Sequence, residues 1–211
     1  GLASIQLSDN LTYIDSFAIS YCTSLTSIVL PDSLTSTSIG VFYNDTALTS
    51  VRLPETMTSI RNTMFQGCSS LASIYLPDAI TGIGESAFKD CALTSIQLPT
   101  SIEWMENIVF EGNQIEQIVL PASFRLFSPG AFGYISAFRG NPIKMCVIKG
   151  DTFEAFSGKT YNVVPYNNLL DGCDDTIEAV YVPDTLVYDY KNTILWKDCA
   201  SKIHPLSEYN A

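Results

Sequence analysis

Histidine is nearly missing from this sequence: His204 is the only one among 211 residues. Basic residues are scarce too, 11 Lys and Arg against 22 Asp and Glu, for a net charge of −11. A protein that grips a phosphate backbone needs a basic footprint, so this balance argues against nucleic-acid binding. No apolar run approaches the roughly 20 residues of a membrane-spanning helix, which argues against membrane insertion by this chain. The six cysteines contain no C-x-x-C pair, leaving little for a zinc site. A nucleophile needs a base within hydrogen-bond reach, and His204 sits beside Pro205 with no cysteine or second histidine near it in sequence. No column of paired acids suggests a glycosidase either. The expectation is a protein that is not an enzyme, with no cofactor and no metal.

Apolar residues, by contrast, make up 46% of the chain, too many for disorder. They recur with a period. Leu2-Ala-Ser-Ile-Gln-Leu7 is followed by Leu25-Thr-Ser-Ile-Val-Leu-Pro31, Leu48-Thr-Ser-Val-Arg-Leu-Pro54 and Leu71-Ala-Ser-Ile-Tyr-Leu-Pro77. Leu93-Thr-Ser-Ile-Gln-Leu-Pro99 and Ile115-Glu-Gln-Ile-Val-Leu-Pro121 continue the run, and weaker copies start at Ile143 and Ile177. The starts lie 23, 23, 23, 22, 22, 28 and 34 residues apart. A second column reads Leu11, Leu34, Met57, Ile80, Ile102 and Phe124; a third reads Ile19, Phe42, Phe65, Phe88, Phe110 and Phe132. Three residues after the third come Cys22, Asp45, Cys68, Cys91 and Asn113. A six-residue insertion makes Phe138 a better match than Phe132 and continues the last column at Asn141, with Leu170 and Cys173 extending it again.

In L-x-S-I-x-L the residues Ile28 and Leu30 point one way and Ser27 and Val29 the other, the alternation of a short strand. Proline then stops the ladder from running on. One such unit cannot bury its apolar face alone, whereas stacked units bury it against each other. The expectation is a solenoid with the phenylalanines stacked behind the strands.

The pattern L-x-x-I-x-L-P-x-x-L-x-x-I-x-x-x-x-F-x-x-C resembles the leucine-rich repeats of the Treponema pallidum type found in BspA-like surface proteins. The resemblance covers residues 1–148, and 149–211 read as a degenerate repeat and C-terminal cap of the same continuous solenoid. It implies a leucine-rich-repeat solenoid, mainly β with short helical or irregular convex segments. It also implies a right-handed curve with the parallel sheet on the concave side. Export to the bacterial cell surface and a role in adhesion follow from the same resemblance.

The sequence opens inside a strand, without a polar cap or a signal peptide, and this reads as a chain from which an N-terminal region has been removed. At the other end, Thr185–Lys202 reads as a helix with Val187, Tyr190 and Ile194 on one face, covering the last coil with Trp196. The cysteine column, shared with Asp45 and Asn113, favours free buried thiols over disulfides. Cys146 falls on an inward strand position and reads as core, while Cys173 and Cys199 are left open.

Binding is expected on the exposed face of the sheet. One outward column is uniform: Ser4, Ser27, Ser50, Ser73, Ser95, then Gln117. The other varies: Gln6, Val29, Arg52, Tyr75, Gln97, Val119, Val147 and Tyr181. A framework column beside a recognition column would look like this, and so would solvated drift. Gln6, Arg52, Tyr75, Gln97 and Tyr181 are the candidate contact residues, with Arg52 and Tyr75 the anchors because such residues are favoured at hot spots. The partner is expected to be an extracellular protein or glycan. The alternatives are a structural spacer presenting a region outside this sequence, and an acidic decoy acting through net charge. Asp9, Asp32, Glu55, Asp78 and Asp184 form an acidic column after the strands, read as turn chemistry rather than calcium ligation. Asn10 and Asn44 open glycosylation sequons, relevant to a eukaryotic source.

Overall fold

The computed structural model describes residues 1–124, 126–127, 136–151, 170, 173, 175–192 and 196–210. Each repeat forms one coil, numbered here from Leu2, Leu25, Leu48, Leu71, Leu93, Ile115, Ile143 and Ile177. The coils share one apolar core that runs from Ile14 to Ile203.

On the first face, Ser27–Val29 pairs in parallel with Ser50–Arg52. Gln117–Leu120, Met145–Ile148, Ala179–Val182 and Ile203–Pro205 form a four-stranded parallel sheet. Ile28 and Leu30 are buried while Ser27 and Val29 are exposed, as the alternation requires. The chain then turns through a backbone bond from the residue three positions on to the proline carbonyl. Leu34 N–H to Pro31 O, Met57 to Pro54, Ile80 to Pro77 and Ile102 to Pro99 repeat it at 3.0–3.1 Å.

A second, shorter ladder runs along another face of the solenoid, within the mainly β architecture expected. Tyr13–Ile14 pairs with Ser36–Thr37, and Ser59–Ile60, Gly82–Ile83, Trp104–Met105 and Leu126–Phe127 form another parallel sheet. Each strand is two residues long, too short to register as alternation in the sequence. A third set of bonds runs through the turns. Phe42 N–H reaches Met64 O, Phe65 reaches Ala87 O and Phe88 reaches Val109 O at 2.8–2.9 Å. These turns hold two residues per coil at positive φ, one column through Phe17, Gly40, Thr63, Ser86 and Ile108, the other through Tyr21, Asn44, Gly67, Asp90 and Gly112.

Phe42, Phe65, Phe88, Phe110 and Phe138 are fully buried and stack with centroids 5.2–5.5 Å apart and planes within 11°. Phe138 thus occupies the spine; Phe132 lies outside the described residues. Strand pairing forms on only one face at each junction of the first six coils, among the described residues. It is the first face between coils 2 and 3 and the second face at the other four junctions. On the first face, coils 4 and 5 carry no paired strand among the described residues.

The second ladder also shows a fitted glycine. A Cβ on Gly82 would fall inside the indole of Trp104. Gly82→Ala is expected to swing that indole into solvent at a cost of about 1–3 kcal/mol, the usual range for overpacking. The only other tryptophan, Trp196, is buried elsewhere, so a red shift in emission reports on Trp104. Unchanged emission would show that the ring does not lie over Gly82.

The cap is more broken than a single helix over 185–202. Asp184–Leu186 is a 3-10 turn, Val187–Asn192 is α-helical and Lys197–Lys202 is again 3-10. Tyr190 and Trp196 are buried edge to face, 5.4 Å apart; Ile194 lies outside the described residues. The break lets the chain return as Ile203–Pro205, which pairs with Val180–Val182 and extends the first ladder.

Candidate binding face

The outward columns of the first ladder supply the candidate site. Ser4, Ser27, Ser50, Ser73 and Ser95 are exposed, as are Gln6, Val29, Arg52, Tyr75 and Gln97. Tyr75 is 62% exposed and Val29 60%, large apolar surface for one face. Arg52 turns back to coil 2, where Nη2 meets Asp32 Oδ1 at 2.8 Å and Nη1 donates to Leu30 O at 3.3 Å. Tyr75 stands instead between carboxylates, and Glu55, with desolvation and Asp78, pushes its phenol above the ordinary range.

At the far end the face is covered. Val147 is fully buried. The Tyr181 ring packs against His204 and Tyr209, centroids 5.6 and 5.2 Å away. Gln117 Nε2 donates to Tyr209 Oη across 92 residues of sequence at 3.4 Å. Tyr181 is therefore a half-buried wall under the C-terminal tail, while Gln6, Arg52, Tyr75 and Gln97 stand open. No periodic signal marks Tyr209, because it belongs to no repeat column.

Gln97 borders a feature that the repeat pattern does not show. Between coils 5 and 6 the first ladder is open, and a groove of about 650 Å³ lies between residues 95–98 and 117–121.

The column beneath the spine explains why Cys, Asp and Asn alternate there. Asn113 Nδ2 donates to Phe88 O and Phe110 O at 2.7 and 2.9 Å, and its Oδ1 accepts the Leu93 N–H. Asn141 repeats this with Phe110 O, Phe138 O and the Ile115 N–H. The thiols of Cys68, Cys91 and Cys173 donate to Phe42 O, Phe65 O and Phe138 O at 3.1, 3.1 and 3.3 Å. Each side chain ties its coil to the one before.

This arrangement of strand, phenylalanine spine and polar column matches the sequence pattern of the BspA type leucine-rich repeat region in six copies, over residues 1–113 and 68–164. The chain belongs to the BspA-type leucine-rich-repeat family. Solved structures that it is similar to include three bacterial leucine-rich repeat proteins. One is a leucine-rich repeat protein from Bacteroides ovatus, 15% identical, covering 82% of this chain and 71% of that one with a TM-score of 0.40. Another is the T. pallidum leucine-rich repeat protein, 20% identical over 85% and 75%, TM-score 0.41. The third is a leucine-rich cell surface protein from Faecalibacterium prausnitzii, 14% identical over 97% and 86%, TM-score 0.32. No curated protein matches the chain.

The six cysteines of this BspA-type chain are unbridged. Burial pushes the Cys91 thiol up to about 12 and drives Cys68 and Cys146 upward as well, which leaves them protonated and poor nucleophiles. Asp45 is the exception in its column. Its Oδ1 accepts the Cys22 N–H at 2.7 Å, and its buried Oδ2 has no hydrogen-bond partner. Oδ2 occupies the place from which Asn113 donates, so it faces acceptors. Burial pushes the carboxyl up to about 6, opposed by the Cys22 N–H.

The acidic column does not close its turns as expected; the proline carbonyls do. Asp32 is spent on Arg52, and Asp184 Oδ1 accepts the Ser207 N–H at 3.0 Å. Those contacts hold Asp184 below the ordinary carboxylate range. Among the described residues no group of three or more His, Cys, Asp or Glu could hold a metal ion. No helix among them is long and apolar enough to cross a membrane.

Proposed function

We propose that this chain is a non-enzymatic cell-surface protein that binds an extracellular protein or glycan through the open part of the first-ladder face. The observation that carries this is the exposed, varied column Gln6, Val29, Arg52, Tyr75 and Gln97 beside a uniform serine column. Repeat solenoids expose extended surfaces of this kind, and serines supply adaptable hydrogen bonding around an aromatic anchor. Family membership supports the surface reading, since one similar structure is itself described as a cell surface protein.

The test is a panel of extracellular-matrix proteins, mucins and glycans, probed with this chain and with an Arg52→Ala/Tyr75→Ala variant. The Arg52–Asp32 pair is half to two-thirds exposed, so its loss should change stability by no more than about 1 kcal/mol. Binding should fall at least about tenfold for a hot-spot pair. A ligand held equally by the variant would move the site off this face. No ligand at all would favour a structural spacer.

A further inference from the structure

The groove between coils 5 and 6 is bounded by the free edge of the strand Gln117–Leu120 and by residues 95–98, which form no strand. On one side, Lys144 and Met145 donate to Glu116 O, and Lys149 donates to Leu120 O. Backbone groups alternate sides along a parallel ladder, so the N–H and C=O of Gln117 and Val119 face the other way, into the groove. On the opposite side, Leu93 O accepts the Gln114 N–H while Thr94 N–H points back to Ala72 O. Ser95 and Gln97 hold the repeat positions of Gln117 and Val119 and so face coil 4, which leaves the backbone of Ile96 and Leu98 aimed into the groove. Among the described residues no backbone hydrogen bond joins 95–98 to 117–120.

Unpaired edges of this kind template a further strand. The ligand that fits both is a polypeptide backbone, whose donors and acceptors repeat at a strand's rise of about 3.3 Å; a glycan carries no such repeat. The volume, about 650 Å³, falls in the range of roughly 300–1,000 Å³ used for ligand sites. Ile96, Leu98 and Val119 make the walls apolar. The charge is informative in a chain with 22 acidic residues. The groove is lined by a lysine, Lys149, and by no Asp or Glu. Lys149 is exposed and has no ion pair among the described residues.

We infer that this groove takes an extended segment of a partner polypeptide, paired as a parallel strand against Ile96–Leu98 and Gln117–Val119, with a carboxylate against Lys149. The inference rests on the binding-face reading above and names the ligand class.

The probe is the fluorescein-labelled peptide Leu-Thr-Ser-Ile-Val-Leu-Pro-Asp, the sequence of residues 25–32, which combines a strand of the right pattern with an acidic end. It should bind saturably and slow amide exchange at 95–98 and 117–120. Methylating its Ser and Val backbone nitrogens removes one hydrogen-bonding edge, and Val119→Pro removes a groove-facing N–H at an edge where proline is tolerated. Each should weaken binding by about tenfold or more. The methylated peptide tests the point on the unaltered protein, so it stands even if the proline variant misfolds. Equal affinity for the two peptides overturns the inference. So does absence of binding at about 1 mM peptide, an affinity too weak for a specific site. Slow exchange at 95–98 and 117–120 without peptide also overturns it, because the groove would then close on itself. If the peptide fails while the Arg52/Tyr75 variant loses a panel ligand, only the strand inference falls. If the peptide binds as described while no panel ligand depends on Arg52 and Tyr75, the anchor reading falls and the groove remains.

Discussion

Phe65→Ala is expected to destabilise the folded chain by about 3–5 kcal/mol, the range for deleting a buried phenylalanine. The ring is fully buried and stacks on Phe42 and Phe88, both at 5.3 Å. Its backbone carries two links between coils, the N–H to Ala87 O and the carbonyl that accepts the Cys91 thiol. Alanine keeps those links but opens a cavity in the middle of the spine, where neither neighbour can collapse without breaking its own stack. Stability in a repeat array is a sum of nearest-neighbour terms, so one ring here weakens two junctions. Ile19→Ala should cost less, because deleting an isoleucine removes less buried apolar volume than deleting a phenylalanine ring. Urea denaturation of the three proteins checks the ranking. A loss below about 1.5 kcal/mol for Phe65→Ala would mean the spine repacks and is not what holds the coils.

Asp45→Asn is expected to stabilise the protein at neutral pH, and to do so only there. The folded carboxyl titrates at about 6 against an ordinary value of 3.8, so the folded state holds the proton more tightly than the unfolded one. Below about pH 4 both states are protonated and the group is neutral to stability. As pH rises through 4 to 6 the unfolded state ionises first, stability falls, and it levels off above pH 6. With solvent screening the shift corresponds to a loss of about 1–3 kcal/mol, against ~1.4 kcal/mol per pKa unit unscreened. Asparagine cannot ionise and can donate as Asn113 and Asn141 do. The difference between the two proteins should therefore be small at pH 4 and largest at pH 7–8. Urea midpoints across that range isolate the group, because the other carboxylates are common to both. A variant no more stable than the parent at pH 8 would show that Oδ2 finds a partner when ionised.

The two predictions differ in how visible they were before the fold. Phe65 announces itself, since bulky residues recur every 22 or 23 positions from Phe42 to Phe110, and the insertion before Phe138 shifts the register without disguising it. Asp45 is visible only as a member of a column that also accepts Cys and Asn. That the column donates to spine carbonyls, and so penalises a carboxylate, appears only when one coil is laid on the next. The candidate site divides the same way. Alternation in L-x-S-I-x-L placed Gln6, Arg52, Tyr75 and Gln97 outward, as they are. It also placed Val147 outward, yet the returning tail buries it. Arg52 reads as a contact anchor, and only the fold shows it paired with Asp32, 20 residues earlier.

Local pattern determined the coil: strand, proline turn, spine residue and polar tie each follow from residue type within one repeat. Tertiary structure alone decided which face pairs at each junction, which groove opens, how Asp45 titrates and what the tail covers. Those outcomes depend on contacts between residues that the chain separates by a whole coil or more, which no single repeat encodes.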